Sequence, residues 1–311
     1  MAPEIIKIEI RELDVKMPGK FTRPNTKHQM RGRCMQYRLT GAVVALMAVL
    51  WTVVPGHAQA QDQKRPDRIA GHPNLNGIWQ ALNTAYWNLE AHSAKAIPEF
   101  WRLGSLGAMP AGQSVVVGGK IPYKPGLRKK RDENGKKWPE ADPAADCYMP
   151  GVPRANYMPY PFEIVQGDGN ILFVYSFAKS NRIVHMKSHV DAPIDYWMGM
   201  SNGHWDGDTL VVKVIGNDDR TWLDRAGDFH SDKMTVTERF KLIDKNTIEY
   251  EATIDDPETF TKPWTIRMPL YRNVNPKARL LDFNCVEFSE RLLYGHLEKF
   301  DNKAERENKG H

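Results

Sequence analysis

The chain has 311 residues, with 43 Lys and Arg against 38 Asp and Glu for a formal charge of +5. Nine of the basic and four of the acidic residues precede Gln61, so the rest carries 34 of each sign and is formally neutral. The basic character belongs to the leader, which removes the electrostatic footprint expected of a nucleic-acid-binding protein.

Residues 1–60 read as a pre-sequence and signal peptide. Residues 1–29 are charged and unpatterned, leaving Met30 and Met35 as candidate starts. Arg31, Arg33 and Arg38 precede an apolar run over residues 39–54, which ends at Pro55-Gly56 before Ala58-Gln59-Ala60. A basic region, an apolar region and a small-x-small site describe export with cleavage after Ala60. The run falls short of the roughly 18 apolar residues of a membrane span. The mature chain is therefore expected to be periplasmic or secreted and not membrane-spanning.

Residues 61–160 read as an irregular, aromatic-rich extension. After a polar stretch over 61–70, Pro73-Asn74-Leu75-Asn76-Gly77 turns the chain into an apolar segment at Ile78-Trp79. Trp87, Leu89, Ile97, Phe100 and Trp101 suit an amphipathic helix over 84–102, broken at Pro98. Residues 104–161 are rich in Pro and Gly but carry Tyr123, Trp138, Tyr148, Tyr157 and Tyr160. A disordered linker is poorer in aromatics, so this segment is expected to wrap the body as a belt held by side-chain packing. Its basic run, Arg128-Lys129-Lys130-Arg131, is followed by Asp132-Glu133 and reads as a solvated loop.

From residue 161 the pattern becomes β. Strands are expected over 162–166, 170–177, 181–186, 196–200, 209–215, 234–243, 247–254, 264–270 and 278–287, with turns at Gly167-Asp168-Gly169 and Asp244-Lys245-Asn246. His204 and Trp205 fall on a very short strand or a tight double turn. No helical segments separate the strands, so the fold class is mainly β: an antiparallel meander or lipocalin-like barrel over 161–290. Residues 291–311 form a polar C-terminal tail, with a short surface helix beginning near 289. Beyond the leader only Cys147 and Cys285 remain. They are expected to pair in an oxidising compartment, the alternative being two buried thiols.

Several segments carry a resemblance. Asp146-Cys147-Tyr148-Met149-Pro150-Gly151-Val152-Pro153-Arg154, the run Trp197-Met198-Gly199-Met200-Ser201-Asn202-Gly203-His204-Trp205, Thr221-Trp222-Leu223-Asp224 and Thr237-Glu238-Arg239-Phe240 resemble an uncharacterised family of secreted proteobacterial and acidobacterial proteins. The similarity spans about residues 73–290. It implies export and brings no activity with it. Members often have an acidic residue and Gly before Asp-Thr-Leu, matched by Asp206-Gly207-Asp208, and often a basic residue where His204 stands.

Chemistry is sought in the loop between the strands at 209–215 and 234–243, which holds Asp218, Asp219, Arg220, Trp222, Asp224, Asp228 and His230. So polar a loop is expected to form a functional rim above a β scaffold. A carboxylate beside an imidazole fixes its tautomer and raises its basicity. His230 is thus the candidate proton donor or acceptor and Asp224 its orienting group. His204 and Arg154 are expected to reach them from neighbouring segments, Arg154 engaging an anionic or carbonyl oxygen; Arg182 is a second candidate clamp. The same Asp and His residues also suit a loop closed by its own hydrogen bonds.

His185, His204 and His230 have no HxH or HExxH spacing, so no metal is assigned. The glycines form no phosphate cradle, and no cofactor is assigned. Trp197, Trp205, Trp222 and Trp264 offer an aromatic ligand platform, with Trp222 favoured for its place on the polar loop and Trp197 and Trp264 equally suited to the barrel wall. The leading reading is a periplasmic acid-base enzyme, a lyase or isomerase, acting on a small partly apolar molecule. The alternative is a non-catalytic small-ligand-binding or envelope-associated β-barrel protein. Either has a small-molecule partner and no nucleic acid.

Overall fold

The computed structural model describes residues 66–97, 108–167 and 169–287. The leader, the C-terminal tail with its helix, and the end of the helix expected over 84–102 lie outside the described residues. β1 (Arg68–Ile69) and β2 (His72–Pro73) form a small hairpin ahead of β3 (Gly77–Ala81). β4 (Lys95–Ala96) pairs with β5 (Ala108–Met109), and α1 (Leu127–Lys136) follows. Then come β6 (Phe162–Gln166), β7 (Asn170–Tyr175), β8 (Asn181–His185), β9 (Met200–Asp206), β10 (Thr209–Ile215), β11 (Thr235–Asp244), β12 (Thr247–Asp255) and β13 (Trp264–Arg272). Nine strands close a barrel in the order β10-β11-β12-β13-β3-β6-β7-β8-β9. The segment read as an irregular extension therefore supplies one stave, β3, between β13 and β6.

Strict alternation builds the wall. Across β11, β12 and β13 the row Arg239, Glu251, Arg267 faces outward, while Phe240, Tyr250 and Met268 face inward. A membrane-spanning barrel presents an apolar band on the outside, the reverse of this charged row. Among the described residues no helix is long and apolar enough to cross a membrane.

A barrel of this size can enclose one small ligand. Here side chains span the lumen. Phe173 of β7 meets Phe240 of β11 at 5.3 Å between ring centroids, and Phe240 meets Tyr250 at 4.9 Å. Beside them Arg182 of β8 donates to Glu238 of β11 at 2.6 Å. A 3-10 turn, Arg154–Asn156, contributes Asn156, whose amide donates to Glu238 (2.6 Å) and the Tyr250 hydroxyl (2.9 Å) and accepts from Tyr175 (2.8 Å). Every polar group of this buried knot thus meets a partner, which is the condition for burying it at all.

Five expectations are corrected. The barrel is mixed: β8 and β9 run parallel, paired only at Val184↔Ser201 and His185↔Asn202. A parallel pair needs a long connection, and residues 186–199 supply it, so most of 196–200 is not a strand and β9 instead runs through His204 and Trp205. The described part of 84–102 is turns leading to the short strand β4 rather than helix; Asn83 and Asn88 accept from the backbone two residues on, at Ala85 and Glu90. Residues 278–287 form no strand; Phe283 makes a single bridge to Phe177. The basic run lies in helix α1, not a solvated loop: Arg128 donates to Glu90 (2.7 and 2.5 Å) and Arg131 to Asp228 (3.2 Å).

Cys147 and Cys285 are joined in a disulfide, with Cα atoms 5.6 Å apart and a sequence separation of 138.

Candidate functional site

The loop that carries His230 is buried. The extension lies over it, leaving Asp224 and Asp228 fully covered, His230 4% exposed and Trp222 8% exposed. His230 Nδ1 faces the Ser231 carbonyl at 2.8 Å and so carries the proton, while Nε2 lies 2.7 Å from the Thr221 hydroxyl. Burial lowers its pKa below the usual imidazole value. Asp224 accepts three backbone N–H bonds, from Leu89 (2.9 Å), Ala226 (3.0 Å) and Asp228 (3.1 Å). Burial, reinforced by the neighbouring Asp228 carboxylate, raises its pKa well above the carboxylate range. Asp228 in turn accepts from Tyr123 (2.7 Å) and Arg131. His230 and Asp224 thus serve different partners and close one loop against the extension.

Further contacts bind the same loop. The Arg225 guanidinium lies 4.4 Å from the Trp87 ring centroid, 4.9 Å from that of Trp138 and 5.3 Å from that of Tyr86. Helix α1 approaches so closely that a Cβ on Gly227, at φ 90, would stand 2.4 Å from the Gly135 nitrogen. Polarity marks this loop as a clasp in which Asp224, Asp228 and His230 all bond within the protein.

The two remaining candidates lie elsewhere. Arg154 is 1% exposed and its fork is filled by Asp142 at 2.8 and 2.7 Å. His204 is exposed on β9, opposite Val211. Among the described residues no group of three or more His, Cys, Asp or Glu side chains is arranged to hold a metal ion.

An open site lies instead at the parallel seam. Because β8 pairs with β9 only at its C-terminal end, its first half leaves a cleft of about 530 Å³, walled by Ile183, His185, Met149 and Met198, with Arg182 among its lining residues. Trp197 and Arg220 line this cleft and also a neighbouring one of about 360 Å³. Tyr148, 52% exposed, stacks on Trp197 at 4.9 Å and 13° between planes. The Arg220 guanidinium lies 4.5 Å from the Trp197 ring centroid and is bonded to Asp218.

Local structure fixes this platform from both sides. Tyr196 donates to the Gly216 carbonyl (2.9 Å), and Asp218 donates back to the Tyr196 carbonyl (3.1 Å). Gly199 has φ 60, and a Cβ there would lie 2.5 Å from Val214 Cγ1. Glycine lets the wall of the cleft lie directly on β10. On the other side Cys147, at φ 65, is bonded to Cys285, and the next residue is Tyr148.

No family model matches the sequence, and no curated protein matches it. The sequence reading named Trp197, Arg182 and, on the polar loop, Arg220, but missed Tyr148 as a member of a site. The available signal was the position of Tyr148 beside a disulfide cysteine and of Trp197 within the resemblance motif.

Proposed function

We propose that this chain is an exported, non-catalytic small-molecule-binding protein whose ligand occupies the clefts around Trp197. The observation that carries this reading is the half-exposed Tyr148–Trp197 stack at the junction of two clefts. Exposed flat aromatic surface beside thioether and aliphatic walls suits a ligand with a partly apolar body. Export is supported by the leader pattern and by the Cys147–Cys285 disulfide, which persists in an oxidising compartment.

Acid-base catalysis is the weaker reading. A general base must reach the proton that it abstracts, whereas both His230 nitrogens already have protein partners. Asp224 and Arg154 are likewise engaged and buried.

Native mass spectrometry of the protein isolated from an oxidising compartment tests the proposal. A retained compound that is lost in a folded Trp197→Leu variant and kept in His230→Gln supports it. Retention in Trp197→Leu with loss in His230→Gln would return the site to the loop and sink it.

A further inference from the structure

The charges around Trp197 say more about the ligand than its aromatic face does. Arg182 lines the larger cleft, but its charge is matched by Glu238 inside the barrel. Arg220 is the cation shared by both clefts, and it is bonded to Asp218 and feels the field of Asp219. Two further carboxylates line the site, Asp195 in the larger cleft and Asp146 in the smaller. Among the described residues neither has an ion-pair partner; Lys233 feels the field of Asp195 but is bonded to Asp232. Surplus charge at the clefts is therefore negative.

The position of Arg220 is itself informative. A guanidinium 4.5 Å from an indole centroid occupies the geometry in which an aromatic face attracts a cation. Its side chain is 63% exposed and anchored only two residues from its own acid, so little packing opposes its departure. With the clefts read as the ligand site, we infer that they take an organic cation with an apolar body, an alkylammonium compound, and that Arg220 is a built-in stopper that such a ligand displaces from Trp197. Displacement leaves Asp218 to face the incoming charge, while Tyr148 and the thioethers of Met149 and Met198 receive the apolar part.

The alternative role of Arg220, recognition of an anion, predicts the opposite response to its removal. Three probes of nearly one shape separate the cases: choline, its neutral carbon isostere 3,3-dimethylbutan-1-ol, and the anion 3,3-dimethylbutyrate. Each is titrated into the mature protein while the indole N–H resonance of Trp197 is followed. Choline is expected to bind at least about tenfold more tightly than either other probe, a cation–π and carboxylate preference of the usual size. Arg220→Gln is expected to tighten choline about five- to tenfold, since it clears the ring and unpairs Asp218. Asp195→Asn, at an exposed position with no bonded partner to lose, is expected to weaken it about two- to threefold.

Tighter binding of the anion, abolished by Arg220→Gln, would overturn the inference and leave the clefts as the ligand site. Equal binding of choline and its neutral isostere would overturn it in the same way. If none of the three moves Trp197 at tens of millimolar, while a retained compound still depends on Trp197, the charge inference falls and the site reading stands. Loss of both would remove the site as well.

Discussion

Arg182 and Glu238 meet across the inside of the barrel, Nη1 to Oε2 at 2.6 Å and Nη2 to Oε1 at 3.2 Å. Each is almost wholly covered, and Tyr175, Tyr250 and Asn156 complete the remaining hydrogen bonds. Truncating one partner leaves a bare charge in the interior. Glu238→Ala should therefore cost about 3–5 kcal/mol. Urea unfolding followed by circular dichroism measures it; a loss below about 1 kcal/mol would put the pair in the class of surface ion pairs.

The buried clasp predicts a pH dependence. Burial lowers the His230 pKa below its unfolded value of 6.5. The unfolded chain then binds the extra proton, so stability from neutral His230 is complete above that pH and is lost as pH falls below it. Asp224 acts oppositely: its raised pKa contributes stability below its ordinary value of 3.8, lost as pH rises through the folded value. Between pH 5 and 7 (roughly the imidazole range), His230→Gln should flatten the acid side of the stability curve. An unchanged slope would mean that His230 is solvated in solution.

Cys147 and Cys285 close a very long loop. Constraint of the unfolded chain makes such a bridge worth about 3–5 kcal/mol. The double Ser variant should lose that much in urea unfolding. It should also bind ligand more weakly while folded, because Tyr148 follows Cys147 directly. Unaltered affinity would show that Tyr148 holds its place on Trp197 without the bridge.

Gly199→Ala tests how the cleft wall is seated. Left-handed backbone costs a non-glycine residue about 1–2 kcal/mol, and the new Cβ would lie 2.7 Å from Asn217 Oδ1 as well as against Val214. A drop of the melting temperature with a changed Trp197 fluorescence spectrum is expected. Wild-type values of both would contradict the tight contact between residues 196–200 and β10.

Where the sequence was legible, the physics was local. Alternation at 235–240 and 248–254 reports a wall with one wet face, and β11 and β12 follow it directly. The parallel seam was hidden because its connection, residues 186–199, ends in an apolar cluster that runs from Tyr196 into Met200 of β9 and imitates a strand of its own. The loop at 218–230 misled for a related reason. Asp224 and Asp228 look solvent-loving in one dimension, yet their partners Leu89, Tyr123 and Arg131 come from far upstream. Tyr148 and Arg220 became neighbours of Trp197 only through the disulfide and the bonds of Tyr196 to residues 216–218.

On this reading the ligand binds outside the barrel, at Trp197, rather than within the lumen or on the His230 loop. Tryptophan side-chain NMR of the mature protein, titrated with a compound that it binds, addresses this directly. The Trp197 indole resonance is expected to move in a saturable way while those of Trp79 and Trp222, buried in the core and the clasp, stay in place. Movement of Trp79 or Trp222 with Trp197 unchanged would contradict it.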